Sequence, residues 1–322
     1  MTDWPPFSSD LFLQALADWY FPGAKPAIVE CEGKRYRTLL HGWRKTPVSG
    51  FYPFPFYLEP LDPELARGPA VKVPYLAEVV LATTTVDEPG PPGAVPSPFV
   101  RLTDFDSWEQ MFRAATPRPG VNSPRRIREK MNRARREFGS IELRTGDTDV
   151  DAFEQVMRWK SAQYSRTWQS HRMTIPRNLE FYRELWRRGF FTFTSLRFGG
   201  RLVGGKIGGF GSGRSLWRIT VYDPKLAVHS PGSIIEMESV RAEFEAGNTE
   251  SDYLMGDEAY KFTFATHIRW IGNVGKEPQL DRMLRRGRMM LARRVTRAPA
   301  LYKLAKRAEA LATQARGGLR RR

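Results

Sequence analysis

Apolar and polar positions divide the chain into stretches with different periods. Near the N-terminus LFLQALADWY (11–20) predicts a short helix, and AIVECEGKRYRTLLHG (27–42) predicts two strands joined at Glu32-Gly33. An aromatic, proline-rich insertion follows around FYPFPFYLEP. DEPGPPGAVPSP (87–98) then places five prolines in twelve residues, which disfavours helix and central strand alike and reads as a linker.

Beyond it the periodicity sharpens. Ser123 can cap a helix with Pro124 in its first position, and RRIREKMNRARREFG fills that helix with seven Lys and Arg between Arg125 and Arg136. Such a run is either a solvated face or a phosphate-facing one. Phe153, Met157, Tyr164 and Trp168 recur at helical spacing, as do Leu179, Tyr182 and Leu185 ahead of Gly189, and both stripes read as core. FFTFTSLRF, RLVGGKIGGF and RSLWRITVY, separated by Gly199-Gly200 and Ser212-Gly213, predict a three-stranded antiparallel meander. IIEMESVRAEFEAG is an amphipathic helix with Ile234, Met237, Val240 and Phe244 on one face. SDYLM is a short strand, GDEAYKF a turn, and IRWIGNVG a final strand. The expected division is 1–98, a small α/β unit; 99–280, the main α/β domain; and 281–322, a basic helical tail.

Composition narrows the classes. With 41% hydrophobic and 27% charged residues the chain of 322 is globular rather than disordered. Cys31 is the single cysteine, and four scattered histidines have no metal-ligand spacing, so disulfide scaffolds and zinc knuckles are excluded. The N-terminus lacks a basic region and an apolar run of the secretory kind, and no apolar stretch is long enough to span a membrane. A cytoplasmic protein, peripheral to membranes at most, is the expectation. The net charge of +16 is concentrated: residues 282–322 hold 14 Lys and Arg against Glu309, leaving 37 basic and 34 acidic groups elsewhere. The tail suits an anionic membrane surface or tRNA, or serves as a solubilising end.

SPRRIREKMNRARREFG, LRFGGRLVGGKIGG, YDPKLAVHSPGSII and SDYLMGDEAYKFTFA together resemble the GNAT acetyltransferases of bacterial exopolysaccharide and cellulose-biosynthesis clusters, which are related to the Fem peptidyltransferases. The resemblance spans about residues 123–275. It implies an α/β, GNAT-like acyltransferase fold, extended by a degenerate N-terminal half into a Fem-like tandem. It also implies an acyl group passed from acyl-CoA to an amine on a sugar or envelope precursor, without metal and with no stable protein partner. Two alternatives stay open: a Fem-like transferase using aminoacyl-tRNA, and a non-catalytic protein that binds anionic membrane or RNA.

Within that frame, the turn His229, Ser230, Gly232, Ser233 leads into a helix N-terminus, whose N–H groups and dipole suit the donor's phosphates. Plain capping by Ser230 is the competing reading. HSPGS lacks the leading Arg or Gln and the second glycine of the usual coenzyme A loop, which keeps the aminoacyl-tRNA donor open. Acyl transfer to an amine needs a base, an oxyanion donor and an acid. Asp257 or Glu258 is the candidate base, Lys261 the oxyanion or phosphate ligand, and Tyr260 or Tyr222 the acid. Asp252, in a strand that reads as buried, calls for a basic partner such as Arg218. His229 and His267 read as packing residues, and Cys31 has no activating neighbour.

Overall fold

The computed structural model describes residues 4–42, 45–49, 56–115, 121–165, 176–276 and 279. Trp168 and the tail from residue 282 lie outside the described residues.

Helix α1 (Asp10–Tyr20) starts where the Ser9 hydroxyl accepts the Phe12 N–H. Strands β1 (Lys25–Cys31) and β2 (Lys34–His41) form the expected hairpin, with positive φ at Glu32 and Gly33 as a two-residue turn requires. With β3 (Thr46–Pro47) and β4 (Val71–Lys72) they make a four-stranded sheet in the order β3-β2-β1-β4.

The next two strands, β5 (Tyr75–Thr85) and β6 (Val95–Arg101), enter the main sheet. This corrects the expected linker, because residues 95–98 are strand and a boundary at 98 falls inside β6. Prolines are tolerated there because their carbonyls do the bonding. Pro96 and Pro98 accept the N–H groups of Gly256 and Tyr253, at 2.9 and 3.0 Å.

Helices α2 (Trp108–Ala114) and α3 (Pro124–Phe138) follow, the latter capped as expected by Ser123, with Gly139 at φ 86° closing its end. Strand β7 (Ile141–Thr145) was not expected. It is short, partly polar and at the sheet edge, so it carries little alternation to read. Then come α4 (Val150–Ser165), α5 (Pro176–Arg187) and the meander β8 (Phe191–Phe198), β9 (Arg201–Gly211), β10 (Arg214–Tyr222), joined at the two predicted turns. Helix α6 (Pro231–Glu245), β11 (Glu250–Asp252) and β12 (His267–Gly275) complete the fold. The eight-stranded order is β5-β12-β6-β11-β10-β9-β8-β7. Among the described residues β10 and β11 pair in parallel and the other neighbours in this sheet antiparallel.

Two apolar cores lie on the two faces. One gathers Phe12 of α1, Phe153 and Val156 of α4 and Phe181 of α5 over Phe193, Ile207 and Ile219. The other gathers Met111 of α2, Met131 of α3 and Ile235 and Met237 of α6 over Leu196, Val203 and Trp217. Helices α4 and α6 therefore face each other through the sheet, with β10 between them.

Candidate active site

Strands β10 and β11 pair at Arg214↔Glu250, Ser215↔Ser251 and Leu216↔Asp252, where β11 ends while β10 continues to Tyr222. A bulge between Trp217 and Ile219 bends β10 at the point of separation. The geometry is tight: a Cβ on Gly208 would stand 1.9 Å from the Leu216 carbonyl oxygen. Beyond Leu216 the far half of β10 therefore has no described strand partner on that side, and this parting of the strands is the opening between β10 and the chain that follows β11.

From the α4 face, Lys160 donates from Nζ to the Thr220 carbonyl on β10 at 3.3 Å, and Arg218 donates from Nε to the Tyr182 hydroxyl of α5 at 2.9 Å. Burial, reinforced by the positive charge of Arg218, brings the Lys160 ammonium down to a pKa of about 8, although Glu258 opposes the shift.

After β11 the chain folds back on itself, with positive φ at Leu254 and Gly256. Buried Lys261 holds this loop. Its Nζ donates to the carbonyls of Leu254 (3.3 Å) and Met255 (2.7 Å) and lies 3.0 Å from Glu258 Oε2. Those three partners use the three ammonium protons and tie the loop together through Lys261. Burial lowers its pKa and Glu258 resists. A side chain at Gly256 would collide with Glu258, whose Oε2 lies 2.1 Å from the Cβ position. Asp257, Glu258 and Tyr260 are exposed at the mouth. Burial, then Glu258, pushes the Tyr260 phenol above its ordinary pKa.

The turn ahead of α6 does not show the plain capping that was the competing reading. Ser230 adopts a left-handed conformation (φ 53°, ψ 51°), and its side chain makes no capping hydrogen bond. Gly232 sits close under Tyr222, where a Cβ would stand 3.1 Å from the ring. Helix α3 and the segment just ahead of it clamp the turn: Lys130 donates to the Val228 carbonyl at 2.8 Å, and Asn122 donates to the Ser233 hydroxyl at 3.3 Å. His229 is buried against Phe138 and Phe198, with Nε2 3.4 Å from Glu137. The first-turn N–H groups of Gly232 and Ser233 have no carbonyl within the helix to bind.

Asp252 has a buried basic partner, but it is Arg269 of β12 (3.0 Å) rather than Arg218. Tyr57, Ser97 and the Leu254 N–H also donate to it. His267, two strands away on β12, stacks on Phe99. Cys31 is buried, and burial raises its thiol pKa. Among the described residues no group of His, Cys, Asp and Glu could hold a metal ion. No described helix is long and apolar enough to cross a membrane.

Two residues at the opening escaped the sequence reading. Lys160 looks like any polar position of an amphipathic helix. Glu236, inside IIEMESV on α6, is 4% exposed, and its Oε1 has no hydrogen-bond partner among the described residues. Burial raises its carboxyl to a pKa of about 8, with Tyr253 opposing. The available signal was its spacing with Ser239 and Glu243, which aligns three polar residues on a helix face that the sheet buries.

Residues 122–262 match the sequence model of the acetyltransferase (GNAT) domain family, and the molecule has a mixed α/β, GNAT-like fold. The matched span contains Lys160, Tyr222, Gly232, Glu236, Glu258 and Lys261, and therefore the whole opening. No curated protein matches the chain. Among solved structures it is similar to the C-terminal DUF2156 domain of a putative lysylphosphatidylglycerol synthetase from Agrobacterium fabrum, at 11% identity over 88% of this chain and 95% of that one, with a TM-score of 0.44. FemX is similar at 10% identity over 83% and 90%, with a TM-score of 0.49. The PaiA N-acetyltransferase of Thermoplasma acidophilum, in complex with coenzyme A, is similar at 16% identity over 34% and 75%, with a TM-score of 0.26.

Proposed function

We propose that the protein is an acyltransferase that moves an acyl group from acyl-CoA to an amine, on a sugar or envelope precursor, within the opening between β10 and β11. The observation that carries this reading is the separation of those strands inside the span that matches the GNAT family, with buried polar groups brought to it from both faces. Beyond Leu216 no described strand pairs with β10 on its β11 side, and an extended, amide-containing donor arm adds there as a strand adds to a sheet edge. The turn at Ser230, Gly232 and Ser233 sits at a helix N-terminus suited to the donor's phosphates, with His229 fixing the turn from below. Lys160 brings positive charge to the opening for the developing oxyanion. Asp257 or Glu258 at the mouth takes the proton that the amine loses.

Mass spectrometry of ligands retained by the purified protein, followed by transfer assays with acetyl-CoA and glucosamine, tests the reading. Bound coenzyme A and amide formation support it. Co-purified tRNA would instead favour an aminoacyl-tRNA donor, a reading that the exposed Arg126, Arg133 and Arg136 on α3 also accommodate. Absence of any transfer would favour a non-catalytic protein that binds anionic surfaces.

A further inference from the structure

Helix α6 runs back along β10, so position on the helix maps onto position along the strand. Near its C-terminal end Glu243 accepts from Ser215 at 2.7 Å and pairs with Lys206, where β10 is still joined to β11. Glu236 lies two helical turns closer to the helix N-terminus, about 10 Å along the axis. That distance corresponds to roughly three residues of strand, which sets Glu236 level with the part of β10 that β11 has left. Its Oε1 and the Tyr253 hydroxyl are both buried and near enough to each other to interact, yet neither completes a hydrogen bond among the described residues. Buried polar atoms left in this way mark a place that a ligand or water completes.

The opening also connects the two faces. The Tyr260 phenol interacts electrostatically with Glu236 of α6 and with Tyr164 of α4. Other charges around α6 are paired or face elsewhere: Lys206 with Glu243, Arg241 with Glu245, and Arg128, Arg135 and Glu238 along the outer groove against α3. With no described cation beside it, burial favours the protonated form of the Glu236 carboxyl.

We propose that Glu236 is the general acid of the transfer step, reaching the opening from α6 and protonating the group that leaves the acyl carbon. This rests on the acyl-transfer reading above. The amine nitrogen attacks the acyl carbon and the C–N bond forms. The C–S bond then breaks, its electron pair goes to sulfur, and the Glu236 proton makes the thiol. The proton lost by nitrogen passes through Asp257 or Glu258 to water, and Glu236 regains one from water by way of Tyr253 and Tyr260. The assignment replaces Tyr222 and Tyr260 as acids. Tyr222 packs its ring on Gly232, and the raised pKa of Tyr260 makes it a weaker proton donor.

Glu236→Gln keeps size and neutrality but cannot give up a proton. With acetyl-CoA and glucosamine its turnover should fall on the order of 10²-fold or more, with the KM for acetyl-CoA unchanged. With 4-nitrophenyl acetate, whose leaving group departs without a proton, the loss should be less than about tenfold, since acid catalysis contributes little there. Infrared difference spectra should show a protonated-carboxyl band at pH 7 that the variant lacks. Equal losses with both donors, or no such band, would overturn the proposal. An active wild type with an equally active variant sinks the acid assignment and spares the acyl-transfer reading. A wild type inactive on both donors overturns that reading, and the acid assignment with it.

Discussion

Arg214 and Glu59 meet in a two-point fork, Nη1 to Oε2 at 2.8 Å and Nη2 to Oε1 at 2.6 Å, which ties the segment ahead of β5 to the first residue of β10. Arg269 stands beside the same carboxylate at 3.9 Å. Burial would raise the Glu59 pKa, but the two guanidiniums outweigh it and hold the group ionised. Removing one partner strands a buried charge. Arg214→Met should therefore cost about 3–5 kcal/mol in urea denaturation, and adding Glu59→Met should recover much of the loss. An additive double variant would contradict the pairing.

Gly232 is a question of space. Alanine requires the Tyr222 ring to move by a few tenths of an ångström, so Gly232→Ala should change stability by less than about 1 kcal/mol. Gly232→Leu must displace the ring, at about 1–3 kcal/mol. Calorimetric affinity for coenzyme A should fall sharply in the leucine variant while its circular dichroism spectrum stays native. Unchanged affinity would remove this turn from the donor site.

Glu236 makes stability depend on pH. Its pKa rises from the ordinary 4.5 to about 8 on folding. Between those values the unfolded chain has lost a proton that the folded one keeps, so stability falls as pH rises through that window and levels off above it. The total is on the order of 5 kcal/mol at 1.36 kcal/mol per unit. Glu236→Gln should flatten this slope and be more stable than wild type at pH 8, as denaturant midpoints across the range will show.

Lys160 acts in the next window. With its pKa lowered from 10.5 to about 8, the unfolded chain binds the extra proton between those values, and stability from this group rises with pH there. Reductive methylation with a carbon-13 label should resolve one lysine that titrates near pH 8, absent in Lys160→Arg. A Lys160 resonance titrating with the surface lysines would refute its burial.

Lys261→Met leaves the Leu254 and Met255 carbonyls without their shared donor. Stability should drop by about 1–3 kcal/mol, and turnover should fall with it because Glu258 loses its anchor. A variant with native melting temperature but reduced turnover would return Lys261 to the oxyanion role.

What the sequence made readable was local. Ser123-Pro124 at one end of α3 and Gly139 at the other, and the paired positive-φ turns of the meander, follow from capping and turn chemistry that needs no tertiary context. Non-local features escaped. Pro96 and Pro98 looked like breakers because their carbonyl partners, Gly256 and Tyr253, are far away in the chain. Asp252 visibly needed a base, but choosing Arg269 over Arg218 requires knowing that β6 and β12 lie beyond β11. The candidate loop GDEAYK was readable as a motif. Lys160 and Glu236 become candidates only once β11 is seen to part from β10, with α4 and α6 on either side of that strand.

Strand β12 lies between β5 and β6, pairing Tyr75 with Gly275 on one side and Phe99 with His267 on the other. During synthesis, then, two early strands wait with unsatisfied edges until almost all of the described chain has left the ribosome. Closing so long a loop is slow, and open strand edges attract other chains in the meantime. Insertion of β12 should be the last step of sheet assembly. Chains truncated before residue 267 should be the ones that aggregate, however complete the opening encoded upstream.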